Sequence, residues 1–196
     1  MINILPADPV KRGRIKMLAL AAFFALPVVA SYAFYFMDLA PGSTANYGTL
    51  LPARPLSDAT LQGIDGQPVK MTDLRGKWVL VQFDSGSCAE YCERKLYFMR
   101  QVRKALGKDT TRVERMWLLT DGQVPNDRLK EAIEGTHQAR TAGSSIAAEF
   151  PAERSAADHI YLVDPHGNLM MRFPRDPDPS RMLRDLQRLM KVSRIG

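Results

Sequence analysis

The chain has 196 residues, with 27 Lys and Arg against 21 Asp and Glu for a net charge of +6, and 45% of its residues are apolar. That is globular composition, which excludes a wholly disordered chain, and the length suits one domain with or without an accessory segment. Two cysteines and three histidines exclude a disulfide-dense scaffold, a four-cysteine zinc site and any histidine-rich metal site.

Lys11, Arg12, Arg14 and Lys16 crowd residues 1–16 against the single acid Asp8. Beyond them the basic excess is mild and mixed in sign, with no aromatic-rich basic stripe, so nucleic acid is not an expected partner. An uncharged run of 21 residues follows, Met17 to Met37. As a helix it reaches about 30 Å, the thickness of a bilayer core. Leu18, Phe23, Phe24, Leu26, Val28, Val29 and Phe34 make it apolar on every face, unlike the single stripe of a soluble helix. The run exceeds a typical signal core and continues past the small residues Ser31 and Ala33, so it reads as a retained anchor rather than a cleaved signal. The basic cluster before it and Asp38 after it place residues 1–16 in the cytoplasm and the rest outside, in the periplasm of a Gram-negative cell. Residues 38–57, with Pro41, Gly42, Ser43, Pro52 and Pro55, read as a linker to a domain over 58–196.

In that domain Asp65-Gly66 between short apolar stretches predicts a hairpin over 61–69. Trp78 to Phe83 reads as a buried strand, broken at Asp84-Ser-Gly-Ser87. Cys92, Leu96, Met99, Val102 and Leu106 then fall at helical spacing, and Gly107 stops the helix. Residues 116–120 predict a second buried strand. Asn126 or Asp127 is placed to cap a helix running to about His137, and 138–157 reads as loop or short turns. Two strands, 160–163 and 169–173, flank the turn sequence Asp164-Pro-His-Gly-Asn168, and Pro179 opens a last amphipathic helix. Strand–helix–strand followed by a late hairpin predicts an α/β fold, a mixed sheet flanked by helices on the thioredoxin-like plan.

Both cysteines fall where the first core strand gives way to a helix, where free N–H groups and the positive dipole end favour a thiolate at Cys88. Four residues apart on a first helical turn, their Cα atoms would lie about 6 Å apart, within disulfide range. The same spacing turns both sulfurs to one side, where they could hold a soft metal ion together. Glu90 and Glu93 partly offset the dipole.

Three stretches carry a family resemblance: Leu74-Arg-Gly-Lys-Trp-Val-Leu-Val-Gln-Phe83, Ser87-Cys-Ala-Glu-Tyr-Cys-Glu-Arg-Lys-Leu96 and His159-Ile-Tyr-Leu-Val-Asp-Pro-His-Gly167. Over about 58–191 the chain resembles the Sco family, membrane-anchored thioredoxin-like copper and thiol factors that assemble the binuclear copper site of cytochrome c oxidase. The resemblance implies copper held by Cys88 and Cys92 with a distal histidine, for which His159 is the candidate, and Glu90 matches the acid inside the family's cysteine pair. Ala89 and Glu93 stand where the family usually has prolines, and His159 precedes Tyr161 by only two residues, fewer than the family's histidine does.

An antiparallel pairing of 160–163 with 78–83 would put His159 at the cysteine pole, as ligand or as a satisfied loop residue. His166 would then lie at the opposite pole, in a turn, and His137 at a helix end on the surface. Met170 and Met171 alternate in a strand, so one should face the core rather than copper. Asp84 reads as a turn cap, with proton acceptor as its other reading.

The anchor and the cysteine pair predict a single-pass inner-membrane protein with paired thiols, and the resemblance implies that it binds copper or keeps a partner's cysteines reduced during cytochrome c oxidase maturation. Its expected partners are an oxidase subunit or another copper or thiol assembly factor. The alternatives are a thiol–disulfide oxidoreductase or thiol peroxidase with Cys88 as nucleophile and Cys92 as resolving thiol, and a non-catalytic thioredoxin-like interaction module.

Overall fold

In the computed structural model, residues 9–36, 46–193 and 195 are described, and the chain divides into two units at Ala45. The first contains helix α1, Pro9–Phe36, long and apolar enough to cross a membrane. It begins well before Met17 and takes in the basic cluster. Pro27 lies inside it and leaves it unbroken. Met37 and the first part of the expected linker, 38–45, lie outside the described residues.

The second unit is built on an eight-stranded mixed sheet. In chain order its strands are β1 (Thr49–Pro55), β2 (Thr60–Gly63), β3 (Pro68–Lys70), β4 (Trp78–Asp84), β5 (Val113–Leu119), β6 (His137–Arg140), β7 (Ile160–Val163) and β8 (Asn168–Arg172). They lie in the order β1-β8-β7-β4-β5-β6-β2-β3. The helices are α2 (Glu90–Ala105), the single turn α3 (Lys130–Ile133) and α4 (Pro179–Val192).

Strand β4 is central because its run of apolar residues, nearly all with no exposed surface, demands cover on both faces. Val79, Val81 and Phe83 pack with Met116, Leu118, Phe150 and Tyr161 on one face. Trp78 and Leu80 pack on the other with Met99 and Val102 of α2 and Met182 and Leu186 of α4. α4 is started by Pro179 in its first turn and by Asp178, whose carboxylate accepts from the Ser180 N–H at 2.8 Å. β4 runs parallel to β5, and antiparallel to β7 with Gln82 opposite Ile160. The expected placement of residue 160 beside the end of β4 is therefore present, and His166 lies exposed in the far turn. Met171 is buried and Met170 is partly exposed, so the alternation sends one thioether into the core.

Three expectations are corrected. The stretch read as linker through residue 57 contains β1, paired with β8. Its prolines are tolerated because β1 is an edge strand, where N–H groups are not needed on one side. The helix expected to run to His137 is only a 3-10 turn at Asp127–Leu129 followed by α3, ended by Gly135 at φ +67°. His137 instead begins β6, pairing with Met116 of β5, and its exposed imidazole stands 3.6 Å from Glu114 Oε2. Residues 138–140 continue that strand, whose sequence His-Gln-Ala-Arg lacks β-branched residues and so gave no strand signal.

A buried sulfur pair at the β4–α2 junction

Helix α2 starts at Glu90, with Ala89 as its cap, so Cys88 precedes the helix rather than sitting on its first turn. Its N–H donates to the Ser85 carbonyl at 3.1 Å, closing a tight turn. Cys88 has φ +43°, the one non-glycine residue in the left-handed region among those described. L-residues pay about 1 kcal/mol or more for that conformation, and such strain concentrates at functional sites. Cys92 lies on the buried face of α2. The two sulfurs form a disulfide with Cα atoms 5.2 Å apart. Neither cysteine exposes appreciable surface, at 0% and 1%. The two sulfurs are brought together, as expected, but they are buried and not displayed at the mouth of the domain.

The cover and the floor come from residues to which sequence reasoning gave no role in covering the sulfurs. Trp117, Leu96, Leu119 and Leu129 pack with both cysteines. Gln82 of β4, fully buried, donates from Nε2 to Cys92 Sγ at 3.6 Å. Arg128 Nη2 lies 3.5 Å from the Cys88 carbonyl and 3.3 Å from Glu93 Oε2, tying the turn to the first turn of α2. The Asp121 carboxylate accepts from the N–H groups of Gly86, at 2.9 Å, and Gln123, at 3.1 Å, and bonding to Ser85 and Gly86 holds its pKa below the ordinary carboxylate value.

Gly86 makes this packing possible. A Cβ there would lie 2.1 Å from the Gln123 carbonyl oxygen, so Gly86→Ala must push the cysteine turn away from residues 121–123. We expect it to lower stability by about 1–3 kcal/mol in thermal unfolding, and to hasten reduction of the disulfide by a soluble dithiol. An unchanged reduction rate would mean that the turn is not held by this contact.

One shell further out lies a buried ion pair. Lys95 of α2 is 1% exposed, and its Nζ reaches Asp84 Oδ2 at 3.0 Å, the Phe83 carbonyl at 3.4 Å and the Ala157 carbonyl. Burial pulls the Lys95 pKa down, against the pull of Asp84. Asp84 is therefore a counter-ion as well as the turn cap expected of it, since its other oxygen accepts from the Ser85 N–H at 3.0 Å. The Tyr91 hydroxyl donates to the Asp158 carbonyl at 2.8 Å, and burial pushes its pKa up to about 12.

His159 follows directly, buried at the same pole. Its Nδ1 lies 2.9 Å from the Phe173 carbonyl, which can only accept, so Nδ1 carries the proton and Nε2 is the free nitrogen. Burial holds its pKa below 6.5, partly offset by that bond. Among the described residues no three His, Cys, Asp or Glu side chains stand close enough to share a metal ion. The structure thus unites Cys88 with Cys92 and leaves His159 outside their group. Both Gln82 and Lys95 carried a signal that passed unread: a polar residue inside an apolar strand, and a charge on the apolar stripe of a helix.

Residues 78–193 match the family described as transmembrane-like, thioredoxin-like, C-terminal domain. The chain belongs to that family. The thioredoxin-like fold recurs in solved structures, among which Sco proteins are prominent. Apo Sco1 from Thermus thermophilus is 24% identical, with a TM-score of 0.59 over 76% of this chain and 99% of that one. Yeast Sco1 with copper bound is 14% identical, with a TM-score of 0.58 over 71% and 94%. The dsbF of MTB, in mixed oxidised and reduced forms, is 20% identical, with a TM-score of 0.50 over 67% and 95%. At these identities the likeness is one of fold. No curated protein sequence matches the chain.

Proposed function

We propose that this thioredoxin-like protein is a membrane-anchored copper and thiol factor for cytochrome c oxidase maturation. In this reading α1 holds it in the inner membrane, with residues 1–16 cytoplasmic and the domain in the periplasm. Its partner is an oxidase subunit or another copper or thiol assembly factor. The observation that carries the reading is the joined pair Cys88–Cys92 at a strand-to-helix junction, in a fold shared with copper-bound Sco structures.

The donor set fits the ion. Two thiolates at neighbouring loop and helix positions, in apolar surroundings, suit a soft monovalent copper, which accepts two sulfur ligands. When bound, copper would supply the cargo for a partner's site; Cys88 and Cys92 would hold it. His159 remains the candidate third ligand through Nε2, and its recruitment requires it to approach the sulfurs. The protein's own contribution is to exclude water and orient the sulfurs through Trp117, Gln82 and the turn at Cys88.

An oxidoreductase role is supported by the ready disulfide, but both sulfurs are closed to a protein partner in this state, which argues against rapid exchange. Anaerobic titration of the reduced full chain in detergent with Cu(I), against a competing chelator, is the test. One tightly held equivalent is expected, lost in Cys88→Ala and weakened in His159→Ala. No binding, or binding unchanged in Cys88→Ala, overturns the copper role.

A further inference from the structure

The most unusual polar arrangement in the domain lies beneath Cys92. Gln82, Trp117 and Gln138 are register neighbours on three adjacent strands, Gln82 opposite Trp117 and Trp117 opposite Gln138. Neighbours in parallel register share a face of the sheet. Each carries a buried polar atom without a hydrogen-bond partner: Gln82 Oε1, Trp117 Nε1 and Gln138 Oε1. Buried polar groups without partners are costly, and this row lies on the face of the sheet that carries the Cys88–Cys92 disulfide.

Among the described residues, the one bond the Gln82 carboxamide makes in the disulfide state is the contact from Nε2 to Cys92 Sγ. A disulfide sulfur is a weak acceptor and offers no proton, so the carboxamide is poorly served there. Turning the amide over would only aim an oxygen at a sulfur with no hydrogen. Reduction changes the partner. A thiolate accepts the same N–H in a charge-assisted bond, and a thiol offers an S–H that Oε1 can accept once the amide turns. The thiolate, the form that binds copper, therefore satisfies Gln82 better than the disulfide does.

We propose that Gln82 is a positioning residue that biases the Cys88–Cys92 couple towards the dithiol, the form able to take up copper. The inference rests on the thiol chemistry proposed above and deepens it. The step is the exchange of the Cys88–Cys92 disulfide with an external dithiol. The S–S bond breaks, two S–H bonds form, and the reductant supplies two electrons and two protons and leaves as its own disulfide.

The test equilibrates the full chain in detergent, free of metal, with a series of reduced and oxidised dithiothreitol, and reads the reduced fraction by alkylation and mass. Gln82→Leu and Gln82→Met, which both remove the amide at similar volume, should be about tenfold harder to reduce, about 30 mV for a two-electron couple. Gln138→Leu deletes a carboxamide whose Oε1 is likewise without a partner and which bonds no sulfur, and should leave the equilibrium within twofold. Folding of each variant is checked by circular dichroism, and either Gln82 variant suffices. A Gln82 variant with an unchanged midpoint, or a Gln138 variant shifted as far, overturns this inference alone. A wild-type pair that cannot be reversibly reduced overturns it together with the thiol chemistry on which it rests.

Discussion

Asp84→Ala should be among the most damaging single substitutions in the domain, lowering unfolding free energy by about 3 kcal/mol, the lower end of the range for stranding a buried charge. The lower end applies because Asp84 is 20% exposed, so water already shares its charge. What makes the loss large is the ammonium it leaves behind. Lys95 is almost wholly enclosed, and its remaining acceptors are the backbone carbonyls of Phe83 and Ala157. Lys95→Met should cost less, because the stranded partner is then a carboxylate that can turn to solvent. The double variant should cost clearly less than the two losses added together. Denaturant titration of the full chain, followed by fluorescence, measures all three.

The pH dependence of Asp84→Ala carries a sign that a packing defect would not. Burial holds the Lys95 pKa below its ordinary 10.5 when folded, and removing Asp84 takes away the main opposing influence. Between the folded value and 10.5 the unfolded chain binds more protons, so stability rises with pH there. Asp84→Ala should therefore recover part of its loss as the pH is raised from neutrality towards 10.5. A loss unchanged over that interval would mean that Lys95 is not the charge left stranded.

The same residues show why sequence reading reached the fold more readily than the site. β4, α2, β7 and α4 were legible because their apolar spacing matches their period and their ends carry turn or cap residues, such as Pro179 and Gly107. β1 and β6 were not. One is an edge strand with two prolines, and the other is a polar segment held in the sheet by pairing with β5 on one side and β2 on the other. The cysteine pair was legible from its place in the chain, whereas its burial was not. Burial depends on Trp117, Leu119 and Leu129, which are brought over the turn by topology rather than by spacing. The partners of the ion pair Asp84–Lys95 are only 11 positions apart, yet local sequence alone could not tell a capping aspartate from a buried counter-ion.

The second large effect is expected at Trp117, which lies against the sulfur pair with no exposed surface. Trp117→Ala removes the whole indole from a packed interior and should cost about 3–5 kcal/mol, the range for large aromatic truncations in cores. Trp117→Phe separates volume from hydrogen bonding. It keeps a ring in the site and deletes an N–H that has no partner, so the polar part of the change carries no penalty and the loss should fall below half that of alanine. Trp78 remains in both variants as a fluorescent reporter at the start of β4. The alanine variant should also open the sulfurs from beneath, so a soluble dithiol should reduce them faster than in the wild type, with the phenylalanine variant near wild type. If phenylalanine proves as costly as alanine, the indole N–H has a partner in solution and the polar row beneath Cys92 is not orphaned. If alanine leaves the reduction rate unchanged, access to the sulfurs is governed by the turn at Cys88 and not by the residue beneath them.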